Sequence, residues 1–221
     1  MTGLPIVSGP ALFFFAVEQG DAFAAEAARA VLVSLIGVAA AALTYAWAST
    51  RTPWWLSLPL SWTSFFIGVF VFRDARWPAT LALGIALAAI VLVTVALPRA
   101  GVRTTGVRPA WDLPLRVVAC MVLVLSVTAL AQRLGPTVSG MLAPFPVAIS
   151  ILLGFSHAQQ GSSSAIAFLR GFMPGMWSFA AFCYVLSMTI VAAGTTGGFA
   201  LALVTTLAIQ ALVLWGMRPT A

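Results

Sequence analysis

Residues 79 to 97 read ATLALGIALAAIVLVTVAL, without a charged side chain or a proline. About 20 largely apolar residues is the length of an α-helix that crosses the roughly 30 Å hydrocarbon core of a bilayer. In lipid every backbone N–H and C=O has to be satisfied within the protein, so only helix bundles and closed barrels span it. The stretch lacks the period-2 alternation of a barrel strand and reads as a spanning helix.

Working outward by the same length rule gives eight candidate spans, at residues 4 to 19, 27 to 49, 54 to 72, 79 to 97, 113 to 132, 138 to 157, 165 to 192 and 197 to 216. The first is short and ends in Glu18-Gln19-Gly20-Asp21, so seven spans plus one re-entrant segment is the alternative count. Ala22-Phe23-Ala24 mimics a small-residue cleavage site, but nothing basic precedes the apolar run as a signal peptide requires, and the segment is read as part of the fold. Composition agrees with lipid as the solvent: 62% of the residues are hydrophobic and 7% charged, with a mean hydropathy of +1.06. An ordinary soluble domain carries about a quarter charged residues, and this chain could not cover an aqueous surface without large apolar patches. The fold class expected is all-α, a polytopic transmembrane helix bundle without a soluble catalytic domain.

The cationic side chains are all arginine, and the formal charge is +6. In a membrane protein such a surplus reports orientation and contact with anionic lipid rather than nucleic-acid binding. With eight spans, one side carries Arg51, Arg99, Arg103, Arg108, Arg116, Arg170 and Arg218, and the other Arg29, Arg73, Arg76 and Arg133. The positive-inside rule then places both termini in the cytoplasm. Much of the bias comes from residues 98 to 112, a linker-like stretch with Pro98, Gly101, Gly106 and Pro109 that separates a first half, 1 to 97, from a second, 113 to 221. Cys120 and Cys183 fall inside expected spans, far from any partner motif, and read as small packing residues.

Sliding the chain along itself by 141 positions pairs Pro5 with Pro146, Leu12 with Leu153, Phe14 with Phe155, Gln19 with Gln160, Gly20 with Gly161 and Arg29 with Arg170. In each copy a short segment with an early proline is followed by a Gln-Gly turn, a long helix and one further span. An odd number of crossings separates the copies if the two intervening spans each cross once, so the repeat is expected to have inverted topology. Inverted repeats are characteristic of transporters, where two antiparallel halves enclose a midplane site. Duplication also produces them in inert scaffolds.

Polar residues at depth are costly and are functional candidates by default. They gather at two junctions: Glu18, Gln19, Gly20, Asp21, Glu26 and Arg29 in the first copy, and His157, Gln159, Gln160, Gly161, Ser162 to Ser164 and Arg170 in the second. Of these, Glu18, Gln19, Gly20, Glu26, Arg29, His157, Gln159, Gln160, Gly161 and Arg170 are the expected substrate-binding residues, and Ser162 to Ser164 resemble a capping stretch ahead of the next helix. Glu26 and Arg29 are spaced to pair on one helix face. Ala167 stands where Glu26 would recur, so Arg170 lacks a local carboxylate and takes a partner elsewhere, an anionic ligand or lipid phosphate. His157, the single histidine, could relay a proton, although a histidine at a helix end more often serves as an interfacial hydrogen-bonding group. Pro5 and Pro10, and Pro136, Pro144 and Pro146, are expected to bend or interrupt their helices, and paired interruptions point to a transport site. Packing kinks are the plainer explanation. Trp54, Trp55, Trp62, Trp77 and Trp111 lie near span boundaries and fit an aromatic belt. No carboxylate follows nearby to orient His157 for a nucleophile.

From residue 116 onward an Arg-led apolar helix is followed by Arg133-Leu134-Gly135-Pro136, then Ser139-Gly140-Met141-Leu142-Ala143-Pro144-Phe145-Pro146, then Gln160-Gly161. This order resembles a class of small bacterial inner-membrane proteins that includes the GlpM-like four-helix proteins, here in duplicated form. The resemblance covers about the C-terminal half and implies architecture; the class lends no activity.

The function expected is a small inner-membrane permease or channel for a polar or anionic solute, with its pathway between the inverted halves. The alternative is a non-catalytic accessory or lipid-binding scaffold, whose partner would be a membrane complex or a second copy of the chain. Membrane lipids are partners in either case. An enzyme, a cofactor, a metal and a nucleic-acid partner are not expected, since no ligand cluster, carboxylate pair, phosphate loop or nucleophile motif is present.

Overall fold

The computed structural model describes residues 8–72, 75, 77–101, 112, 114–122, 125, 126 and 146–216, and among these it is all-helical. In chain order the helices are α1 (Ser8–Gln19), α2 (Asp21–Ala48), α3 (Trp54–Val71), α4 (Ala79–Ala96), α5 (Val147–Gln160), α6 (Ser162–Phe172) and α7 (Gly175–Gly216). Residues 114–122 are also helical. Among the described residues four stretches are long and apolar enough to cross a membrane: α2, α3, α4 and the run Ser162–Val213.

Local chemistry sets the boundaries. α2 is rich in alanine, the best helix former, and Asp21 in its first turn faces the positive end of the helix dipole. Gly20 and Gly161 interrupt the chain with φ of 90° and 78°, a conformation that costs glycine little and other residues much. Pro10 lies in the first turn of α1, and Pro146 immediately precedes α5. At those places a missing N–H costs no helical bond, so within the described residues both prolines start helices instead of bending them. Pro5, Pro136 and Pro144 lie outside the described residues. Pro59 does sit inside a helix, α3.

The run Ser162–Val213 is 52 residues long. Straight, it would reach about 78 Å at roughly 1.5 Å per residue, far beyond a bilayer core. Two breaks fold it. Met173-Pro174 separates α6 from α7, dividing what the sequence suggested as one helix from 165 to 192, because Pro174 offers no backbone donor. At Gly194, with φ 71° and ψ 170°, α7 doubles back into two arms, 175–193 and 195–216. Ser178 on one arm bonds Gln210 on the other at 2.7 Å, and a Cβ on Gly198 would lie 2.7 Å from Ile190 Cα.

Shifted by 141 positions, several features of residues 8–72 recur in residues 149–213, although the counterpart of the unbroken α2 is divided at Met173-Pro174. Their first helices end at Gln19 and Gln160, the left-handed glycines follow, and the later turns fall at Pro53 and Gly194. Buried positions match in pairs: Leu12 with Leu153, Ala24 with Ala165, Leu32 with Met173, Ala42 with Cys183, Tyr45 with Leu186, Ser61 with Ala202 and Phe65 with Thr206.

The chain forms two compact units. The first comprises residues 1–36, 74–95 and 170–221, with Leu12, Leu32, Ile90, Phe182, Leu186 and Ile190 in its core. The second comprises residues 37–73 and 96–169, with Tyr45, Phe65, Leu153 and Leu169 in its core. Outward faces are apolar, with Phe14, Phe70, Leu92, Val95, Val191, Val204 and Leu212 exposed. Such a surface suits lipid and not water.

Each unit combines segments of both stretches. In the first, α1 packs on the second arm of α7, where the Phe13 and Phe199 rings meet edge to face at 5.4 Å. In the second, α5 packs on α3, where a Cβ on Gly154 would lie 3.0 Å from Leu58 Cδ1. Phe13 corresponds to Gly154 and Phe199 to Leu58, so the two contacts are reciprocal.

Candidate functional site

The densest polar arrangement lies along one face of α5 in the second unit. Ser150, Leu153, His157 and Gln160 recur at intervals of three and four residues and so share a helical face. Trp62 Nε1 on α3 donates to Ser150 Oγ at 2.9 Å. The Tyr45 hydroxyl on α2 lies 3.2 Å from the Leu153 carbonyl oxygen and 3.2 Å from His157 Nδ1. The two rings are perpendicular, with centroids 6.0 Å apart. Past the turn, Ser164 Oγ donates to Gln160 Oε1 at 2.9 Å.

A buried carboxylate adjoins this face. Asp112, 6% exposed, accepts from Arg116 Nε at 2.9 Å and from Gln159 Nε2 at 2.5 Å. The Arg116 guanidinium also sits 5.1 Å over the Phe155 ring. A buried charge survives only when paired and hydrogen-bonded, and here arginine, amide and aromatic face together meet that need. Gln159 Oε1 is buried and has no hydrogen-bond partner.

The residues singled out from sequence divide between the units. In the first, Glu18, Gln19 and Gly20 are exposed at the end of α1, and Glu26 and Arg29 pair at 2.6 Å, also largely in the open. Asp21 Oδ1 accepts from Thr195 Oγ1 at 2.6 Å. Arg170, at the end of α6, is exposed and is not without a partner. In the second, His157, Gln159, Gln160 and Gly161 do come together, with Tyr45, Asp112, Arg116, Ser150 and Trp62. Among the described residues no three of His, Cys, Asp and Glu converge on one point.

Sequence reasoning missed Tyr45, Asp112 and Ser150. Tyr45 offered a signal, since a phenol in the middle of an alanine-rich span must find a partner for its hydroxyl. Asp112 and Arg116 are at i,i+4 and could have been paired by spacing. Trp62 was grouped with an aromatic belt, but it is half-buried and its indole N–H binds α5, unlike the exposed Trp54 and Trp55.

The polar face has no equivalent at the corresponding positions. There Ala16 replaces His157, Leu186 replaces Tyr45, Gly9 replaces Ser150 and Leu203 replaces Trp62. The pairs are related by the same shift of 141 positions and carry different chemistry. No known family, curated protein or solved structure matches the chain.

Proposed function

We propose that the chain is a small permease or channel of a bacterial inner membrane, passing a small polar or anionic solute along the polar face of α5. In this reading the chain crosses the bilayer eight times with both termini in the cytoplasm. Residues 8–72 and 149–213 are two copies of one three-helix element, inserted antiparallel. The pathway lies where α5 of the second copy rests against α2 and α3 of the first.

The observation that carries the proposal is the reciprocal pairing of Phe13 with Phe199 and of Gly154 with Leu58. A shift of 141 positions and an exchange of partners turns one contact into the other. Interlocked copies of this kind are the architecture in which transporters build two access states around one site. The α5 face adds the second support: polar groups inside an apolar bundle are expensive, and a scaffold would not need a row of them in one copy only.

Arg29, in α2, and Arg170, at the end of α6, are related by the shift of 141 positions and are assigned to attracting the anion. The test is uptake into proteoliposomes of inorganic phosphate, with urea as a neutral probe. Replacing both arginines by alanine should lower phosphate uptake on the order of tenfold and leave urea uptake nearly unchanged. Phosphate uptake equal in the two proteins sinks the assignment. Co-purification of a stoichiometric membrane partner, with neither probe taken up, favours the scaffold.

A further inference from the structure

The contact between Tyr45 and His157 is built differently from the other polar contacts of α5. Tyr45 is fully buried on α2, His157 is half-buried on α5, and the hydroxyl has two candidate acceptors at equal distance, His157 Nδ1 and the Leu153 carbonyl oxygen, each at 3.2 Å. A phenol carries one hydrogen and can accept while it donates. When the imidazole is neutral with its lone pair on Nδ1, the hydroxyl donates to that nitrogen. When Nδ1 gains a proton, its N–H donates to the hydroxyl oxygen, and the hydroxyl hydrogen turns to the Leu153 carbonyl. The buried phenol is satisfied in both charge states, which is the condition for tolerating either of them at depth.

Among the described residues no charged group hydrogen-bonds to the pair. Among the described residues of the second unit the other ionisable side chains are Arg51, Arg99, Asp112, Arg116 and Cys120. The part of α2 in this unit, together with α3 and the unit's part of α6, presents no charged group to the pair, and His157 is the single titratable residue of α5. Asp112 is the one carboxylate in that set. It is held by Arg116 and reaches the α5 helix through Gln159, two residues beyond His157. Among the described residues a proton arriving on the imidazole therefore meets no dedicated counter-ion, and a change of charge of that kind can alter which groups pair along α5.

We propose that Tyr45 and His157 form a proton-binding site through which proton uptake from water is coupled to solute passage. This rests on the permease reading above and adds its coupling ion. Only the N–H bond forms or breaks, and water supplies and receives the proton.

The chain holds a single histidine, so ring-labelled histidine gives one unambiguous set of nitrogen resonances in the full-length protein in lipid nanodiscs. The expected result is reversible titration in the wild type. In Tyr45→Phe, which keeps the ring and removes the oxygen that accepts from the charged imidazole, the midpoint should fall by roughly half a pH unit or more. In proteoliposomes an inward proton gradient should raise phosphate uptake several-fold in the wild type, and in His157→Gln the ratio of uptake with the gradient to uptake without it should fall to one. Ring resonances that do not move with pH, or that titrate identically in Tyr45→Phe, overturn the proton site even if phosphate is transported. Phosphate uptake indifferent to the gradient in the wild type overturns coupling and leaves the permease standing. Normal titration and Tyr45 dependence with no uptake of either probe keeps the proton site and removes the permease.

Discussion

The α2–α3 hairpin and the α7 hairpin cross at corresponding places by different means. In the first, Gly37 faces Val69 and Gly68: a Cβ on Gly68 would lie 3.0 Å from Gly37 Cα, and one on Gly37 would lie 3.2 Å from Val69 Cγ2. In the second, Ser178 stands at the place of Gly37 and Gln210 at the place of Val69, and a hydroxyl–amide contact of 2.7 Å replaces the glycine approach. Small residues that let backbones touch and polar residues that bond across helices are the two devices by which helices associate in lipid. On the proposed repeat, one frame accepts both devices, and the positions that differ are where two copies would take separate roles. Tyr45 against Leu186 and His157 against Ala16 belong to the second kind.

The largest effect expected from this comparison is one of sidedness. If the copies are antiparallel, the two hairpin turns face opposite compartments. With Cys120 and Cys183 changed to alanine, Thr50→Cys should be shielded from an impermeant maleimide in intact cells, and Thr196→Cys should be labelled. Both threonines are exposed, and alanine already occupies the place of Cys183 in the first copy, at Ala42. Labelling of both sites from one side breaks the comparison outright.

Next in size is a steric effect confined to one copy. Gly198 corresponds to Ser57, and its neighbour Ile190 to Ser49, so the first copy places two small residues where the second places a large one against none. An added Cβ on Gly198 would come within 2.7 Å of Ile190 Cα and 3.1 Å of Ile190 N, both backbone atoms that cannot swing aside. Gly198→Ala should therefore cost about 1–3 kcal/mol of overpacking, more than the roughly 1 kcal/mol gained in helix propensity. Ser57→Ala removes only hydroxyl contacts to Thr52 and to the Pro53 carbonyl, and should cost about 0.6 kcal/mol. Thermal unfolding in detergent ranks the two; a Gly198→Ala protein as stable as the wild type would mean that the arms of α7 are further apart.

Much of this was legible in the chain itself. Long apolar runs identify helices and their solvent, and Gln19-Gly20 and Gln160-Gly161, the dipeptides from which the repeat is proposed, each place a left-handed glycine between two helices. Pro174 was legible too and was passed over inside an otherwise apolar run. The exchange of partners was not, since Phe13 with Phe199 and Gly154 with Leu58 are contacts made at long range that no local pattern encodes. Of the site, His157, Gln159 and Gln160 stood out as rare polar residues in an apolar chain. Tyr45 and Ser150 did not, because a single hydroxyl in a hydrophobic helix resembles ordinary packing until the group opposite it is known. Asp112 fell in a linker-like stretch, where a charge reads as solvated.

The smallest effect tests whether the two crossings are equivalent in energy as well as place. Ser178 Oγ lies 2.8 Å from the Gly175 carbonyl oxygen and 2.7 Å from Gln210 Oε1, and one hydroxyl hydrogen serves one acceptor at a time. Turning the Gln210 amide over satisfies everything at once, with its N–H₂ donating to Ser178 and Ser178 donating to Gly175. Ser178→Gly removes that bond and adds the helix cost of glycine; Gln210→Val removes it from the other side and leaves Ser178 with Gly175. Each single change should cost about 1 kcal/mol or slightly more. Together they rebuild the Gly37–Val69 pair of the first copy, where the glycine lets the arms close and the valine fills the space. The double variant should therefore lose less than the sum of the singles, by about 1 kcal/mol. Strict additivity in a double-mutant cycle would show that the glycine crossing depends on the rest of the first copy, Gly68 above all, and does not transfer with two residues.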